Sequence, residues 1–297
     1  MGKSIIGIDI GGTYFRIGAV GEDRQVYDFR KVPVGQVFPS ENPMADLTHF
    51  LKDYCRDREI SAISMGFPGT IDAARKVVIQ APNVKFMEIL PIVDIISHEF
   101  VAPIFLERDV TMALHYDCHR HNIPNQGITC GFYFGTGIGN AISINGLPLI
   151  GKDGTAGELG HIPMDGSDVS CGCGNVGCME CHAGGKYLAE LSCTRYTDTP
   201  IGELFLKHGS DPLLVQFVDR MAMTVATEIN ILNPHHILIG GGIPAMAGFP
   251  RDLLVERIRA HTRKPLPAAD LQVIFTEDPE DKAVIGAAIH AAKILNL

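Results

Sequence analysis

The chain predicts an α/β protein assembled from two similarly built halves. Three observations lead there. Short runs rich in Ile and Val alternate with longer segments whose apolar residues recur every three or four positions, as strands alternating with helices do. A strand, a glycine turn and a return strand at residues 4–20 are echoed at 127–144, an internal repeat of one structural device. Glycine clusters follow strands in three places, in a chain with 32 Gly and 18 Pro. Gly plus Pro is roughly 17% of the chain, above a usual ~12%.

In order, residues 4–10 (SIIGIDI) form a strand, Gly11-Gly12-Thr13 breaks it, and 15–20 resume it. Residues 25–34 follow as a third strand. Met44, Leu47, Phe50, Leu51, Tyr54 and Cys55 mark one face of a helix over 43–56. A strand at 60–65 ends in Gly66-Phe67-Pro68-Gly69. A strand at 102–107 runs into Arg108-Asp109, and a helix covers 110–119. The pattern then restarts with a strand at 127–134, a glycine turn at 135–139 and a return strand at 141–144. Leu214, Phe217, Val218, Met221, Val225, Ile229 and Leu232 form the stripe of a long helix over 213–232, which Asn233-Pro234 stops. A strand at 236–239 leads into Gly240-Gly241-Gly242, and helices follow at 249–261 and 281–295. The expected division is a first domain of residues 1–113 completed by the last helix, 281–297, and a second domain of 114–280, around one cleft.

Of the 297 residues, 46% are hydrophobic and 20% charged, a composition that supports a packed core. With 25 Lys plus Arg against 34 Asp plus Glu, the net charge is −9, which argues against a general nucleic-acid binder. No apolar run reaches the ~18 residues a membrane span needs. The N-terminal MGKSIIGIDIGG has no apolar core followed by a small-residue cleavage site. A cytoplasmic protein with no membrane partner is expected.

The glycine turns are candidate phosphate sites, because glycines allow close backbone approach with amides aimed at phosphate oxygens. Asp9 precedes the first turn (Gly11, Gly12, Thr13) at a strand end, where a carboxylate could hold Mg²⁺ against a triphosphate. A plain hairpin with a polar tip explains this turn equally well. The second turn (Gly135, Thr136, Gly137, Ile138, Gly139) leads into a strand rather than a helix and lacks a P-loop lysine, which excludes the dinucleotide fingerprint and the P-loop. In the third, Gly241 and Gly242 leave an open surface for a base or ribose, or form an ordinary strand-to-helix turn. Together the three turns point to a nucleoside triphosphate.

Of the eight cysteines, Cys171, Cys173, Cys178 and Cys181 crowd into one short window. With His161 upstream, and Gly172, Gly174 and Gly177 for tight turns, His161, Cys171, Cys173 and Cys178 make a Cys₃His set suited to structural Zn²⁺ in a loop over 161–181. Cys181 competes for the fourth position. Cys55, Cys118, Cys130 and Cys193 are read as ordinary small residues. The window 160–182 contains no Lys or Arg, which disfavours a nucleic-acid zinc knuckle. Glu158, between glycines, and Glu180, beside the cysteines, could accept polyol hydroxyls or be solvated surface groups. Asp109, at a strand-to-helix junction, is a helix N-cap or a general base, with Arg108 beside it to favour the carboxylate or bind a hydroxyl. No role is assigned to His115, His119, His121, His235 and His236; solvated or capping histidine is the expectation.

This set resembles the ROK family of bacterial sugar kinases and repressors: Asp9-x-Gly-Gly-Thr13, Gly135-Thr-Gly-Ile-Gly139, Glu158-x-Gly-His161 and Cys171-x-Cys173 through Cys178-x-Glu180. The match runs from residue 5 to the last helix. The resemblance implies an actin-like (hexokinase and sugar-kinase ATPase) fold whose two α/β domains close on ATP and a hexose. It implies ATP and Mg²⁺ at Asp9, Gly11, Gly12, Thr13, Gly135, Thr136 and Gly137, with adenosine at Gly241 and Gly242. It implies Asp109 as base, and Glu158, His161, Glu180, Gly69 and Asn83 on the sugar side, His161 also binding zinc. A homodimer or homotetramer is implied as well. Family glucokinases usually have Asn where Arg108 stands, a sugar contact, which puts glucose in doubt. Residues 65–69, Arg108-Asp109-Val110 and 156–163 look most like D-allose kinases, so the expected reaction is phosphorylation of D-allose at O6. Glucose, fructose and N-acetylmannosamine are alternative substrates, and a catalytically silent sugar sensor is the alternative function. Asn140 stands where a further glycine is common and is expected to alter the second turn. Only Met1–Ser4 precede the first strand, so no DNA-binding segment is expected there.

Overall fold

A computed structural model describes residues 3–297. Met1 and Gly2, part of the expected first domain and of the segment before the first strand, lie outside the described residues. The chain divides into two compact units. The first runs up to Ile123 and includes Ile150–Ala156 and Pro279–Leu297; the second comprises Pro124–Leu149 and Gly157–Asp278. The division at 123/124 differs from the expected 113/114 because a single helix, Asp109–Arg120, spans the expected boundary.

The first unit is built on strands β1 (Ser4–Ile10), β2 (Tyr14–Val20), β3 (Val26–Pro33), β4 (Ile60–Phe67), the short pair β5 (Thr70–Ile71) and β6 (Val78–Gln80), and β7 (Ile104–Arg108). Its main sheet has the order β3-β2-β1-β4-β7. β1 and β2 pair antiparallel across the first glycine turn, while β1, β4 and β7 run parallel. β1 buries Ile6, Ile8 and Ile10 in a core shared with Leu47 and Leu51 of the helix Pro43–Cys55. The other face packs on the C-terminal helix Lys282–Leu295 through Val284, Ala288 and Ala291. Glycines allow the close approaches: a Cβ on Gly7 of β1 would lie 2.0 Å from the carbonyl oxygen of Val284, and one on Gly286 would lie 1.9 Å from that of Met112 in helix Asp109–Arg120.

The second unit repeats the plan with β8 (Ile128–Phe134), β9 (Ile138–Ile144), β10 (Leu147–Pro148), β11 (His236–Gly240) and β12 (Val273–Phe275), ordered β10-β9-β8-β11-β12. β8 and β9 form the antiparallel hairpin; β8, β11 and β12 are parallel. The long helix Pro212–Leu232 covers this sheet with Leu214, Phe217, Val218, Met221, Val225 and Ile229 and stops at Asn233 in the left-handed conformation.

Three expectations change here. β9 begins at Ile138, because Phe134 pairs with Ile138 and closes the hairpin around a tighter turn. Asn140 therefore sits in the strand, not the turn, and its buried side-chain amide donates to Gly131 O and Glu228 Oε1, both at 3.1 Å. Its effect on the second glycine turn is consequently indirect at most. His115 is neither solvated nor a cap: it is 3% exposed, its Nε2 lies 3.3 Å from Nδ1 of the equally buried His290, and burial holds its basicity well below the usual histidine range. No helix among the described residues is long and apolar enough to cross a membrane.

Candidate active site

In open sheets of this kind, ligands gather at the carboxyl ends of parallel strands. In the first unit, three adjacent parallel strands carry expected site residues at those ends. β1 ends at Asp9 and Ile10 before Gly11, β4 leads through Gly66 to Gly69, and β7 ends at Arg108 with Asp109 next. Register ties them: Asp9 is level with Gly66, and Phe67 with Arg108. The Asp9 carboxylate receives Arg16 Nη1 at 2.8 Å, its cross-strand partner on β2. Arg16 carried no signal in the sequence beyond its charge; its pairing became visible only with the register. Gly12 and Thr13 are exposed at the tip, and a Cβ on Gly12 would lie 2.9 Å from that of Asn83, so two expected site residues are brought against each other. Gly69 has φ +119° and lies flush on the carbonyl of Gln80.

Asp109 is the first residue of helix Asp109–Arg120, and Arg108 occupies the N-cap position without a side-chain cap bond. Asp109 is therefore not the N-cap. It is half-buried, and its Oδ1 accepts the Val110 amide at 2.8 Å, which orients the carboxylate at the positive end of the helix. Arg108 is 8% exposed and its Nη1 donates to the carbonyl of Ala156 at 2.8 Å. Below them lies Glu107, buried to 1% and facing Arg75 Nε at 3.1 Å. Burial pushes its carboxyl up, while the Arg75 charge and the Arg108 amide pull it down.

In the second unit the glycine turn sits at the end of β8, with Gly241 and Gly242 at the end of the neighbouring parallel β11. Gly241, at φ +95°, approaches the backbone of Phe134 so closely that a Cβ would be 2.6 Å from its carbonyl oxygen; Gly242 is exposed and open. The second turn rests on a helix that the sequence reading missed. Gly185 and Lys186, the first amides of helix Gly185–Arg195, donate to the carbonyls of Gly135 (2.8 Å) and Thr136 (3.0 Å). Gly184-Gly185 was the available signal, since a Cβ at 185 would lie 2.4 Å from Gly135 O. Glu180 Oε2 accepts the Ile138 amide at 2.9 Å, which places this carboxylate at the base of the glycine hairpin.

Glu158 is the N-cap residue at the start of the 3₁₀ turn Leu159–His161, and His161 ends it. His161 Nε2 faces Glu158 Oε2 at 3.6 Å, and its Nδ1 faces Cys171 Sγ at 3.6 Å. One donor atom from each of His161, Cys171, Cys173 and Cys178 falls within 4.8 Å of all the others, and the Cys173 and Cys178 sulfurs are 3.7 Å apart. A tetrahedron with metal–sulfur bonds of ~2.3 Å has edges of about 3.8 Å, so the set fits Zn²⁺. Cys181 stands aside, its sulfur 3.8 Å from Ser170 O. Burial opposes ionisation at Cys171, but hydrogen bonds from Cys173, Cys178 and His161 bring it to about 7; burial and the neighbouring sulfurs push Cys178 up to about 12. A bound cation would favour the thiolate form of all three sulfurs. The carboxylate behind the imidazole is a usual support for a metal-bound histidine.

The ROK family model matches residues 5–294. The chain belongs to the ROK family. A glucokinase of Thermotoga maritima is 26% identical over 307 residues, covering 96% of both proteins. Among solved structures, a ROK hexokinase from Thermus thermophilus superposes with TM-score 0.79 at 25% identity, covering 99% of this chain and all of that one. A ROK transcriptional regulator homologous to the Escherichia coli Mlc protein gives TM-score 0.85 at 21% identity, over 99% of this chain and 79% of its own. The actin-like ATPase fold of ROK sugar kinases is therefore that of this ROK chain. A shared fold with a regulator means that activity has to be argued from the site.

Proposed function

We propose that this ROK-family chain is an ATP-dependent hexose kinase acting at O6, with D-allose as its sugar and D-allose 6-phosphate as its product. The observation that carries the reading is Asp109: a half-buried carboxylate at a parallel strand's carboxyl end, oriented by its own helix. Asp109 accepts the O6 proton as O6 attacks the γ-phosphorus and the bond to the departing ADP breaks. Gly11 to Thr13 and Gly135 to Gly137 turn their main chain toward the phosphates, and Gly241 and Gly242 receive the adenosine. Asp9 would hold Mg²⁺, which would supply positive charge to the polyphosphate. Glu158, His161, Glu180, Asn83 and Gly69 receive sugar hydroxyls. His161, Cys171, Cys173 and Cys178 hold Zn²⁺ as a closed structural site that takes no part in phosphoryl transfer. The relatives support kinase chemistry; the choice of D-allose is supported by residues 65–69, 108–110 and 156–163 and by Arg108 in place of Asn.

An ADP-release assay over D-allose, glucose, fructose and N-acetylmannosamine tests this. The highest kcat/KM belongs to D-allose; a preference for glucose removes the sugar assignment, and no turnover with any hexose removes the kinase. Asp109→Asn should lower kcat about 10²–10⁴-fold while calorimetry still detects the sugar. Near-normal turnover in that variant takes the base role away from Asp109.

A further inference from the structure

Ile150–Ala156 belongs to the first unit although its neighbours in sequence, Leu149 and Gly157, belong to the second. The segment has no helix or strand of its own. Side chains hold it instead. Arg75 Nη1 donates to the carbonyls of Gly154 and Ile71, each at 3.1 Å. Arg108 Nη1 donates to Ala156 O at 2.8 Å. One carboxylate holds the Arg75 guanidinium and the main chain at Arg108: Glu107 Oε2 faces Arg75 Nε at 3.1 Å, and Glu107 Oε1 accepts the backbone amide of Arg108 at 2.7 Å. Gly154, at φ +84°, lies so close to the 70–80 hairpin that a Cβ would be 2.1 Å from Ile71 O.

Burying a carboxylate and a guanidinium together is a poor source of stability, because desolvation offsets their attraction. What such a pair does supply here is geometry. From Ala156 the chain passes through Gly157 and arrives at Glu158. The main chain is thus fixed two residues before a carboxylate read above as a sugar ligand, and the fixing group is the residue next to Asp109.

We propose that Glu107, Arg75 and Arg108 form a clamp on residues 154–156 that sets hexose affinity through Glu158. They are positioning residues, and Arg108 influences the sugar through the main chain rather than by touching it. This rests on the hexose reading of the site.

The test compares Arg75→Met, Arg75→Lys and Gly154→Ala with the unaltered protein. It measures kcat, KM for hexose and for ATP, calorimetric hexose Kd, zinc content and Tm. Gly154→Ala displaces the segment without removing a charge. Arg75→Met and Gly154→Ala should each raise hexose KM and Kd about tenfold, with ATP KM within about twofold and zinc unchanged. Arg75→Lys should recover part of the loss. Combining Arg75→Met with Gly154→Ala should add little, since both act on one segment. Unchanged hexose Kd in folded Gly154→Ala or Arg75→Met overturns the clamp, as does an equal loss of ATP affinity. Protein that binds hexose without releasing ADP removes the kinase reading and leaves the clamp readable through Kd. Protein that turns over hexose while these variants keep its Kd removes the clamp alone.

Discussion

The two glycine hairpins share a backbone plan and differ in what supports them. In the first, support is a charge pair inside the hairpin, Asp9 to Arg16 across β1 and β2. In the second, the positions flanking the turn pair as Phe134 with Ile138 and Tyr133 with Gly139, without charge. Its support comes from outside: the first amides of helix Gly185–Arg195 and the Glu180 carboxylate. Two hairpins of one backbone plan thus carry different side chains and different supports. The first hairpin carries an acidic side chain next to its turn; the second carries none there and depends on neighbouring elements for its shape.

That dependence can be broken most strongly at the Cys₃His cluster, because Cys178 is followed directly by Met179 and Glu180, which lead to the second hairpin. Structural zinc is worth on the order of 10–16 kcal/mol in small zinc peptides, so chelation should lower Tm and weaken hexose and nucleotide binding together. Metal analysis finding no zinc in the purified protein would refute the cluster assignment.

A finer contrast comes from placing one methyl in each turn. A Cβ on Gly137 would lie 2.1 Å from Glu180 Oε2, whereas one on Gly12 meets only the Asn83 side chain and backbone at about 3 Å. Overpacking of this kind costs about 1–3 kcal/mol. Gly137→Ala should therefore lower Tm and raise ATP KM more than Gly12→Ala does. Equal effects would show that Glu180 moves freely and does not brace the turn.

The smallest effect should follow Arg16→Met. The pair is only partly buried, with side chains 26% and 14% exposed. Ion pairs near solvent contribute about 0.2–1 kcal/mol, so Tm should shift by a few degrees at most. The informative readout is the Mg²⁺ concentration for half-maximal rate, which should fall as Asp9 is released from its partner. A rise instead would mean that Arg16 itself serves the phosphates.

Much of this was written locally. The repeat was visible because both hairpins use the same alternation of Ile-rich strands and glycines, and the Cys₃His set because its four ligands lie close in sequence. Less legible were Val273–Phe275, three residues long, and helix Gly185–Arg195, whose apolar residues form no clear stripe. Asn140 misled for a different reason: a polar residue next to a turn reads as part of it, whereas its partner Glu228 is 88 residues away.

By itself the sequence determined most of the strand and helix order, the repeated hairpin, the Cys₃His cluster and the carboxylate at the end of β7, because each is encoded by residues near one another in the chain. Tertiary structure decided which of those groups meet. Asp9 with Arg16, Gly12 with Asn83, Glu180 with Ile138, Glu107 with Arg75, and Arg75 and Arg108 with the segment at 154–156 depend on strand register and chain crossings. Register and crossings are fixed by burial of the sheet faces as a whole, so no local stretch of residues reports them.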